Sequence, residues 1–174
     1  GGADVLAGAV IGTYLHSNRK IAAVVVLASG VESVATDVAM QVAAMHPEYL
    51  KPEDVPAEVI GKEQDIYRQQ LVSENKPAEM IAKILPGKLE KFYSEVCLVK
   101  QKFIKDDKLT IEQYLAQNQA SHQMTYHAYN DLRESLLHLH VYNLVFHLYS
   151  ELHSLQGLQQ YGNQLQVTMQ EKYY

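Results

Sequence analysis

The strongest constraint on the fold comes from two apolar runs near the start of the sequence that are separated by only four polar residues. Residues 7–16 (AGAVIGTYLH) and residues 21–28 (IAAVVVLA) are rich in valine, isoleucine and tyrosine, which favour β-strands. The intervening residues 17–20 (SNRK) have the composition of a turn, and Gly30 follows the second run. The pattern predicts a β-hairpin whose second strand ends near Gly30.

A helix is expected directly after this hairpin. Val34, Val38 and Val42 recur every four residues, with alanines beside them, so residues 33–45 carry an apolar stripe. Pro47 should end the helix, because the residue before a proline is disfavoured in the helical conformation. The order strand, strand, helix predicts a small two-layer α+β core over the first fifty residues.

Two charged helical stretches follow, residues 56–74 and residues 77–98. Each begins with a proline, which is well tolerated at the first helical position. Each carries a narrow apolar stripe, and the very short connection between them predicts an antiparallel helical hairpin that protrudes from the core. Pro86 lies inside the second stretch and should kink or split it.

The chain is expected to re-enter the core after this helical hairpin. Phe103 and Ile104 come first, an acidic turn follows at residues 105–107 (KDD), and residues 110–117 are predicted to form a short helix.

The composition changes abruptly at about Asn118. Residues 119–174 contain six of the eight histidines but only two of the 15 basic side chains. Leucines at three- and four-residue spacing predict a C-terminal helix of about 26 residues, and the alternation in residues 137–141 (LHLHV) leaves a strand as an alternative. We therefore expect three segments: a core at 1–50, the helical hairpin and re-entry segment at 51–118, and a His-, Tyr- and Gln-rich helical tail.

Charge and cysteine content exclude several classes of function. The net charge is −5, so the chain lacks the basic field of a general nucleic-acid-binding protein. Cys97 is the only cysteine, which excludes an internal disulfide and favours a reducing, cytoplasmic setting. Its apolar neighbours predict a buried residue rather than a nucleophile. The longest apolar run, residues 21–28, is far shorter than the roughly 20 residues that span a bilayer, and no secretory signal is expected.

The histidines of the last segment raise the question of a metal site. No two of them have the i, i+4 spacing that places two ligands on one helical face. His127 and Asp131 have this spacing, as do His147 and Glu151, but surface ion pairs explain it equally well. No phosphate-binding glycine loop or catalytic triad is recognisable. We therefore expect no metal, no cofactor and no enzyme that makes or breaks covalent bonds.

Several stretches, in a fixed order over roughly a hundred residues, carry a family resemblance. The most specific are residues 51–55 (KPEDV) and residues 87–96 (GKLEKFYSEV). The others are residues 11–16 (IGTYLH), 38–44 (VAMQVAA), 46–50 (HPEYL), 100–104 (KQKFI) and 109–111 (LTI). With them, about residues 5–118 resemble the second half of bacterial translation elongation factor Ts, the guanine-nucleotide exchange factor of elongation factor Tu.

The resemblance implies a fold and a partner. Residues 5–50 would correspond to the second half of the family's two-part core, and the helical pair after Lys51 to its protruding helical hairpin, which some members use for dimerisation. Elongation factor Tu, GDP-bound or nucleotide-free, is the implied partner, and the implied action is binding without covalent chemistry. Self-association through the tail or the helical hairpin is a second expected contact, whereas no membrane and no direct nucleic-acid contact is expected.

Two features of the family are absent from this sequence. A Thr-Asp-Phe-Val motif in the first core half is implied to push in beside the partner's magnesium ion and loosen GDP. The nearest string, Thr36-Asp37-Val38, lacks the phenylalanine and falls inside the predicted core helix, so it receives no role. The family's last core strand should return after Asn118, but residues 120–126 (ASHQMTY) lack its F-x-R-F pattern. Either the chain is a fragment joined to foreign sequence, or its tail replaces the last core strand, and the sequence does not decide between the two. We expect the chain to be incomplete for exchange.

Four residues are candidates for partner binding. His16 lies beside the predicted hairpin turn, where side chains are exposed, and the resemblance implies that it contacts elongation factor Tu. An ordinary hairpin histidine is the alternative. Arg19 is expected to assist His16. The resemblance also implies a contact through Phe103 and Ile104, for which simple packing of the re-entering chain is the alternative.

Two classes of function remain from the sequence. The first is a protein-binding fragment of an exchange factor that acts on elongation factor Tu, and its binding should depend on His16 and Ile104. The alternative is a structural or engineered self-associating helical assembly that uses this piece as a scaffold, and its association should depend on Leu144 and Leu148.

Overall fold

The computed structural model describes residues 8–18, 20–130 and 147 of the 174-residue chain. Within these residues the protein is α+β, as predicted. The strands are β1 (Val10–Leu15), β2 (Ala22–Leu27), β3 (Lys102–Phe103), β4 (Asp106–Thr110) and β5 (Met124–Tyr129), and the α-helices are α1 (Glu32–Met45), α2 (Ala57–Ser73), α3 (Ala78–Val96) and α4 (Ile111–Gln117). The predicted tail helix, with Leu144 and Leu148, lies outside the described residues.

The chain forms two compact units. The first contains the described residues up to His46 together with those from Glu112 onwards, and the second contains residues 47–111.

In the first unit, β1, β2 and β5 form an antiparallel sheet with β2 at its centre. The six residues of β2 are all at most 3% exposed, which is the burial that its continuous apolar sequence predicts. The predicted hairpin is therefore confirmed, and so is the helix after it, which packs against the sheet as α1. Helix α1 ends where His46 adopts a left-handed conformation (φ 47°) just before Pro47.

Gly12 sets the distance between β1 and α1. A Cβ atom at this position would lie 2.0 Å from the carbonyl carbon of Ala35 and 2.2 Å from its oxygen. Since these are backbone atoms of α1, strand and helix approach so closely that only glycine fits between them.

Helix α4 leads the chain back to the sheet. Asp37 of α1 accepts a hydrogen bond from the Tyr114 hydroxyl at 2.5 Å, which joins α4 to α1. Burial of Tyr114 and the neighbouring Asp37 carboxylate both raise the pKa of this hydroxyl, so it keeps its proton at neutral pH. Past α4, Gln119 takes a left-handed conformation (φ 52°) and Ala120 donates its N–H to the Leu115 carbonyl at 2.9 Å. The chain thereby turns out of the helix and towards β5.

Of the two alternatives for the segment after Asn118, the structure agrees with the one in which this segment supplies a core strand. Strand β5 pairs antiparallel with β2 over six residues, from Ala22 opposite Tyr129 to Leu27 opposite Met124. Its sequence, MTYHAY, contains threonine and tyrosine, which fit a pleated surface, and the ladder itself requires only backbone N–H and C=O groups. The absence of the F-x-R-F pattern therefore did not exclude the strand, and the first part of the segment after Asn118 belongs to the fold.

In the second unit, α2 and α3 form the predicted helical hairpin. A buried cluster of Val55, Phe92 and Cys97 packs against Val59 and Ile60 from the beginning of α2. Phe92 comes near the end of α3, so the beginning of α2 meets the end of α3 and the two helices run antiparallel. Four residues, 74–77, connect the two helices. Among them, Asn75 adopts a left-handed conformation (φ 61°), which turns the chain.

Pro86 does not split α3, which is a single helix from Ala78 to Val96. The proline is exposed, whereas its neighbour Leu85 is buried. A proline removes one helical hydrogen bond, and on the solvent side the carbonyl that loses its donor can bind water instead. The predicted split is therefore wrong, because the proline lies on the exposed side of the helix, and the kink, the other alternative, stays a prediction.

A two-stranded sheet follows α3 in the second unit. Strands β3 and β4 pair antiparallel, with Lys102 opposite Thr110 and Phe103 opposite Asp106. Asp106 and Asp107, which were expected in an acidic turn, lie in β4, so the turn consists of Ile104 and Lys105.

Candidate partner-binding residues

His16 lies immediately after β1 and is exposed to solvent. Its backbone N–H donates to the carbonyl of Ile21 at 2.9 Å, one step beyond the last strand pair, Leu15 with Ala22. Within the turn, Lys20 donates its N–H to Oδ1 of Asn18 at 2.9 Å. These two bonds fix the backbone on both sides of the turn, so the hairpin presents His16 from a defined position.

The side chain of His16 is also held. Its Nδ1 atom lies 3.1 Å from the hydroxyl oxygen of Tyr14, and the two ring centroids are 6.2 Å apart. Tyr14 precedes His16 by two residues, the spacing at which side chains of an extended chain lie on the same side. That spacing was visible in the sequence, but Tyr14 was not singled out there.

Arg19, which was expected to assist His16, lies outside the described residues.

Phe103 and Ile104 are neighbours in the β3–β4 hairpin but have opposite surroundings. Phe103 is buried, with 4% of its surface exposed, whereas Ile104, in the turn, is 42% exposed. Full burial of a phenylalanine side chain stabilises a fold by about 1.5–3 kcal/mol, which is the contribution that the packing alternative assigns to Phe103. Its partner contact stays a prediction. Ile104 is the residue of this pair whose apolar surface is accessible to a partner.

Gln101, which was not predicted, anchors this hairpin. Its side chain is 1% exposed, and its Nε2 donates to the carbonyl of Glu95 at 3.0 Å, near the end of α3. The carbonyl of Gln101 in turn accepts the N–H of Ile111 at 3.0 Å. Burying an amide group costs more free energy when the group is unpaired than when it is hydrogen-bonded. These contacts therefore fix where β3 begins.

Cys97, the candidate nucleophile, and Asp37, in the string nearest to the family motif, both make structural contacts. Cys97 is fully buried, as predicted, and burial, together with the nearby carboxylates of Asp54 and Glu53, raises the pKa of its thiol to about 11. The thiol therefore stays protonated at neutral pH and is a poor nucleophile. Asp37, in the string nearest to the family motif, lies inside α1 and accepts the bond from Tyr114.

Two further features are absent from the described part of the chain. There, no group of three or more His, Cys, Asp or Glu side chains could hold a metal ion. No helix among those residues is long and apolar enough to cross a membrane. Three of the six tail histidines, His138, His140 and His153, fall outside this part.

The sequence matches the family model described as elongation factor TS over residues 3–134. The match covers about three quarters of the chain. It includes the turn that carries His16, the helical hairpin, the β3–β4 pair and all of β5. It therefore extends past Asn118, where the sequence alone suggested that the similarity ends.

Curated proteins named elongation factor Ts are similar to this chain. The one from Maridesulfovibrio salexigens is 47% identical over 115 residues, which is 61% of this chain and 56% of that protein. The one from Levilactobacillus brevis is 44% identical over 109 residues, 63% of this chain and 37% of the relative. The one from Marinobacter nauticus is 48% identical over 99 residues, 57% and 34% respectively. The chain thus spans between a third and somewhat more than half of the length of these relatives.

Proposed function

The chain belongs to the elongation factor Ts family, and on that basis we propose that it binds elongation factor Tu in the cytoplasm. It acts by association alone and makes or breaks no covalent bond. Its partner is the GDP-bound or the nucleotide-free form. The core at 1–50 and the segment at 51–118 each contribute one contact, and the described part of the segment after Asn118 completes the sheet.

The observation that carries this proposal is the presentation of His16. The side chain is exposed, its backbone is fixed by the bond to Ile21, and its ring is held by Tyr14. A preformed contact loses less conformational entropy on binding than a mobile one, which is the property expected of a recognition residue. Arg19, three residues later in the sequence, assists His16.

Ile104 supplies a second, apolar contact. Ile104 is a large hydrophobic residue in a two-residue turn, and its exposed surface adds nothing to the stability of the fold. Phe103 supports this turn from the buried side. It is a poor test of binding, because truncating a buried phenylalanine costs about 3–5 kcal/mol of stability and would disturb the whole hairpin.

The scaffold alternative has less support. The continuous family match and the names of the relatives favour the exchange-factor class. Self-association through the helical hairpin requires exposed apolar side chains, and α2 and α3 carry three of them, Ile66, Val72 and Met80. Light scattering should therefore measure the mass of the chain alone beside the binding test. A stable oligomer that does not bind elongation factor Tu would favour the alternative.

Titration calorimetry with elongation factor Tu·GDP tests the proposal. His16→Ala should weaken binding about ten-fold, the value of one interfacial hydrogen bond. Ile104→Ser should weaken it about five- to thirty-fold, as expected for an apolar side chain that becomes buried.

Two variants serve as matched controls for these substitutions. His122→Ala replaces another exposed histidine, and Val31→Ser replaces another exposed apolar residue, which immediately precedes α1. Neither should change the affinity. The absence of any complex with the unmodified chain would overturn the proposed function.

A further inference from the structure

We propose that Tyr14 is a positioning residue for partner binding. Its hydroxyl donates to Nδ1 of His16 and thereby fixes the imidazole in the tautomer whose Nε2–H is directed away from the strand, towards a hydrogen-bond acceptor of the partner. This inference rests on the proposed function, because it assigns to Tyr14 a role that is exerted through His16.

The position of Tyr14 in the sheet explains why it can act as a support. Tyr14 pairs with Ala23 of β2, which is 1% exposed and whose side chain is only a methyl group. Gly12, two residues earlier, faces the backbone of α1, so Tyr14 projects from the same face of the sheet. The side chain is partly buried, whereas that of His16 is exposed. The phenol is therefore the less mobile partner of the pair.

The backbone of His16 leaves its ring few alternatives. The bond from its N–H to the carbonyl of Ile21 keeps the residue in line with β1. An extended chain places the side chains of residues 14 and 16 on one side, and the distance from the Tyr14 hydroxyl oxygen to Nδ1 is 3.1 Å. The contact between the two side chains is thus a local consequence of strand geometry, and the sheet holds the phenol in place.

The chemistry of the two groups selects the tautomer. A neutral imidazole has one N–H donor and one acceptor nitrogen, and the bond made by one nitrogen determines the role of the other. A phenol has a strong O–H donor, so Nδ1 is the acceptor and the proton resides on Nε2. Since Nδ1 is occupied by Tyr14, the outward nitrogen is a donor, and the matching group on the partner is a carbonyl, carboxylate or amide oxygen.

The experiment uses the full chain and the conservative variant Tyr14→Phe, which removes only the hydroxyl. Nitrogen-15 NMR of the free protein reads the tautomer of His16 directly, because protonated and unprotonated ring nitrogens have well-separated shifts. We expect the unmodified chain to show one dominant tautomer, with Nδ1 unprotonated, and Tyr14→Phe to show an exchanging mixture. Tyr93→Phe, which removes a phenol hydroxyl in the second unit, should leave the His16 signals unchanged.

A double-mutant cycle then connects this geometry to binding. Tyr14→Phe should weaken binding to elongation factor Tu·GDP by about three- to ten-fold when His16 is present and should have no effect in the His16→Ala background. Unchanged backbone amide spectra in Tyr14→Phe would establish that the variant is folded.

The outcomes separate this inference from the function on which it rests. An unchanged tautomer in Tyr14→Phe overturns the positioning role, and so does an equal loss of affinity in both backgrounds, which would mean that Tyr14 contacts the partner itself. If no variant and no unmodified chain binds, the proposed function is overturned and the binding part of this inference with it, while the NMR result still decides the hydrogen bond.

Discussion

At the scale of single residues, Cys97 combines burial with a titratable group. It is the only cysteine of the chain, it is fully buried against Val55 and Phe92, and its pKa is raised from 9.0 to about 11. Burial contributes most to this shift, because it disfavours the charged thiolate, and the carboxylates of Asp54 and Glu53 add to it. The folded chain therefore binds this proton more tightly than the unfolded chain.

This raised pKa predicts a loss of stability in alkali. A folded pKa above the unfolded value stabilises the protein fully below about pH 9, and the contribution is lost as the pH rises towards about 11. The free energy of unfolding in urea should therefore fall more steeply over this range for the unmodified chain than for Cys97→Ala. Tyrosines and lysines titrate in both proteins, so the difference between the two slopes reports Cys97. Equal slopes would contradict the prediction.

Single residues also mark what sequence patterns can and cannot predict. The exposure of His16 followed from its place beside a turn, and the burial of Cys97 followed from its apolar neighbours. Phe103 and Ile104 are adjacent and both apolar, so only the pairing of β3 with β4, which leaves Ile104 in the turn, distinguishes a buried residue from an exposed one. The support of His16 by Tyr14 required the side-chain geometry.

At the scale of elements, helices were more predictable than strand pairs. Helices α1, α2 and α3 lie within a few residues of their predicted bounds, because apolar residues recur with helical period and prolines mark the beginnings and ends. Strands β3, β4 and β5 were missed because each is defined by its partner. The pairing of β5 with β2 joins residues about a hundred positions apart, which no local window contains.

The packing of β1 on α1 gives a sharp test at this scale. A Cβ at Gly12 would lie 2.0–2.2 Å from backbone atoms of Ala35 and Thr36, which cannot move without displacing the helix. Gly12→Ala should therefore destabilise the chain by about 1–3 kcal/mol or more, the usual cost of overpacking. Urea unfolding followed by circular dichroism measures the loss.

Gly61→Ala is the matched control for this prediction. Gly61 lies within α2, and nothing is found within 4 Å of a Cβ placed there. The same substitution should stabilise the chain by about 0.5–1 kcal/mol, because alanine is the better helix former. If both substitutions had the same sign, close packing at Gly12 would not explain its effect.

At the scale of the whole molecule, the chain holds two candidate contacts in two compact units. His16 belongs to the first unit and Ile104 to the second. The resemblance implies that nucleotide release depends on a further element, a Thr-Asp-Phe-Val motif, and the nearest string of this sequence is Thr36-Asp37-Val38 within α1, where Asp37 is bonded to Tyr114. The described residues thus contain candidates for affinity, and the sequence has no copy of the motif that the resemblance links to displacement of the nucleotide.

This division predicts binding with poor exchange. A factor accelerates nucleotide release only if it binds the nucleotide-free partner more tightly than the nucleotide-bound one, since a ligand with equal affinity for two states shifts neither. Contacts through His16 and Ile104 alone would hold both states almost equally. The 174-residue chain should therefore bind elongation factor Tu·GDP without speeding the release of a fluorescent GDP analogue.

A competition assay tests the same prediction through a measurable effect, inhibition, rather than through the absence of one. If the chain occupies the surface that a full-length elongation factor Ts uses, an excess of it should slow the nucleotide release catalysed by that factor. His16→Ala should inhibit less, in proportion to its weaker binding, whereas His122→Ala should inhibit as the unmodified chain does. Release accelerated by the chain to the level of the full-length factor would contradict the prediction, because contacts within these residues would then discriminate between the two states of the partner without the Thr-Asp-Phe-Val motif.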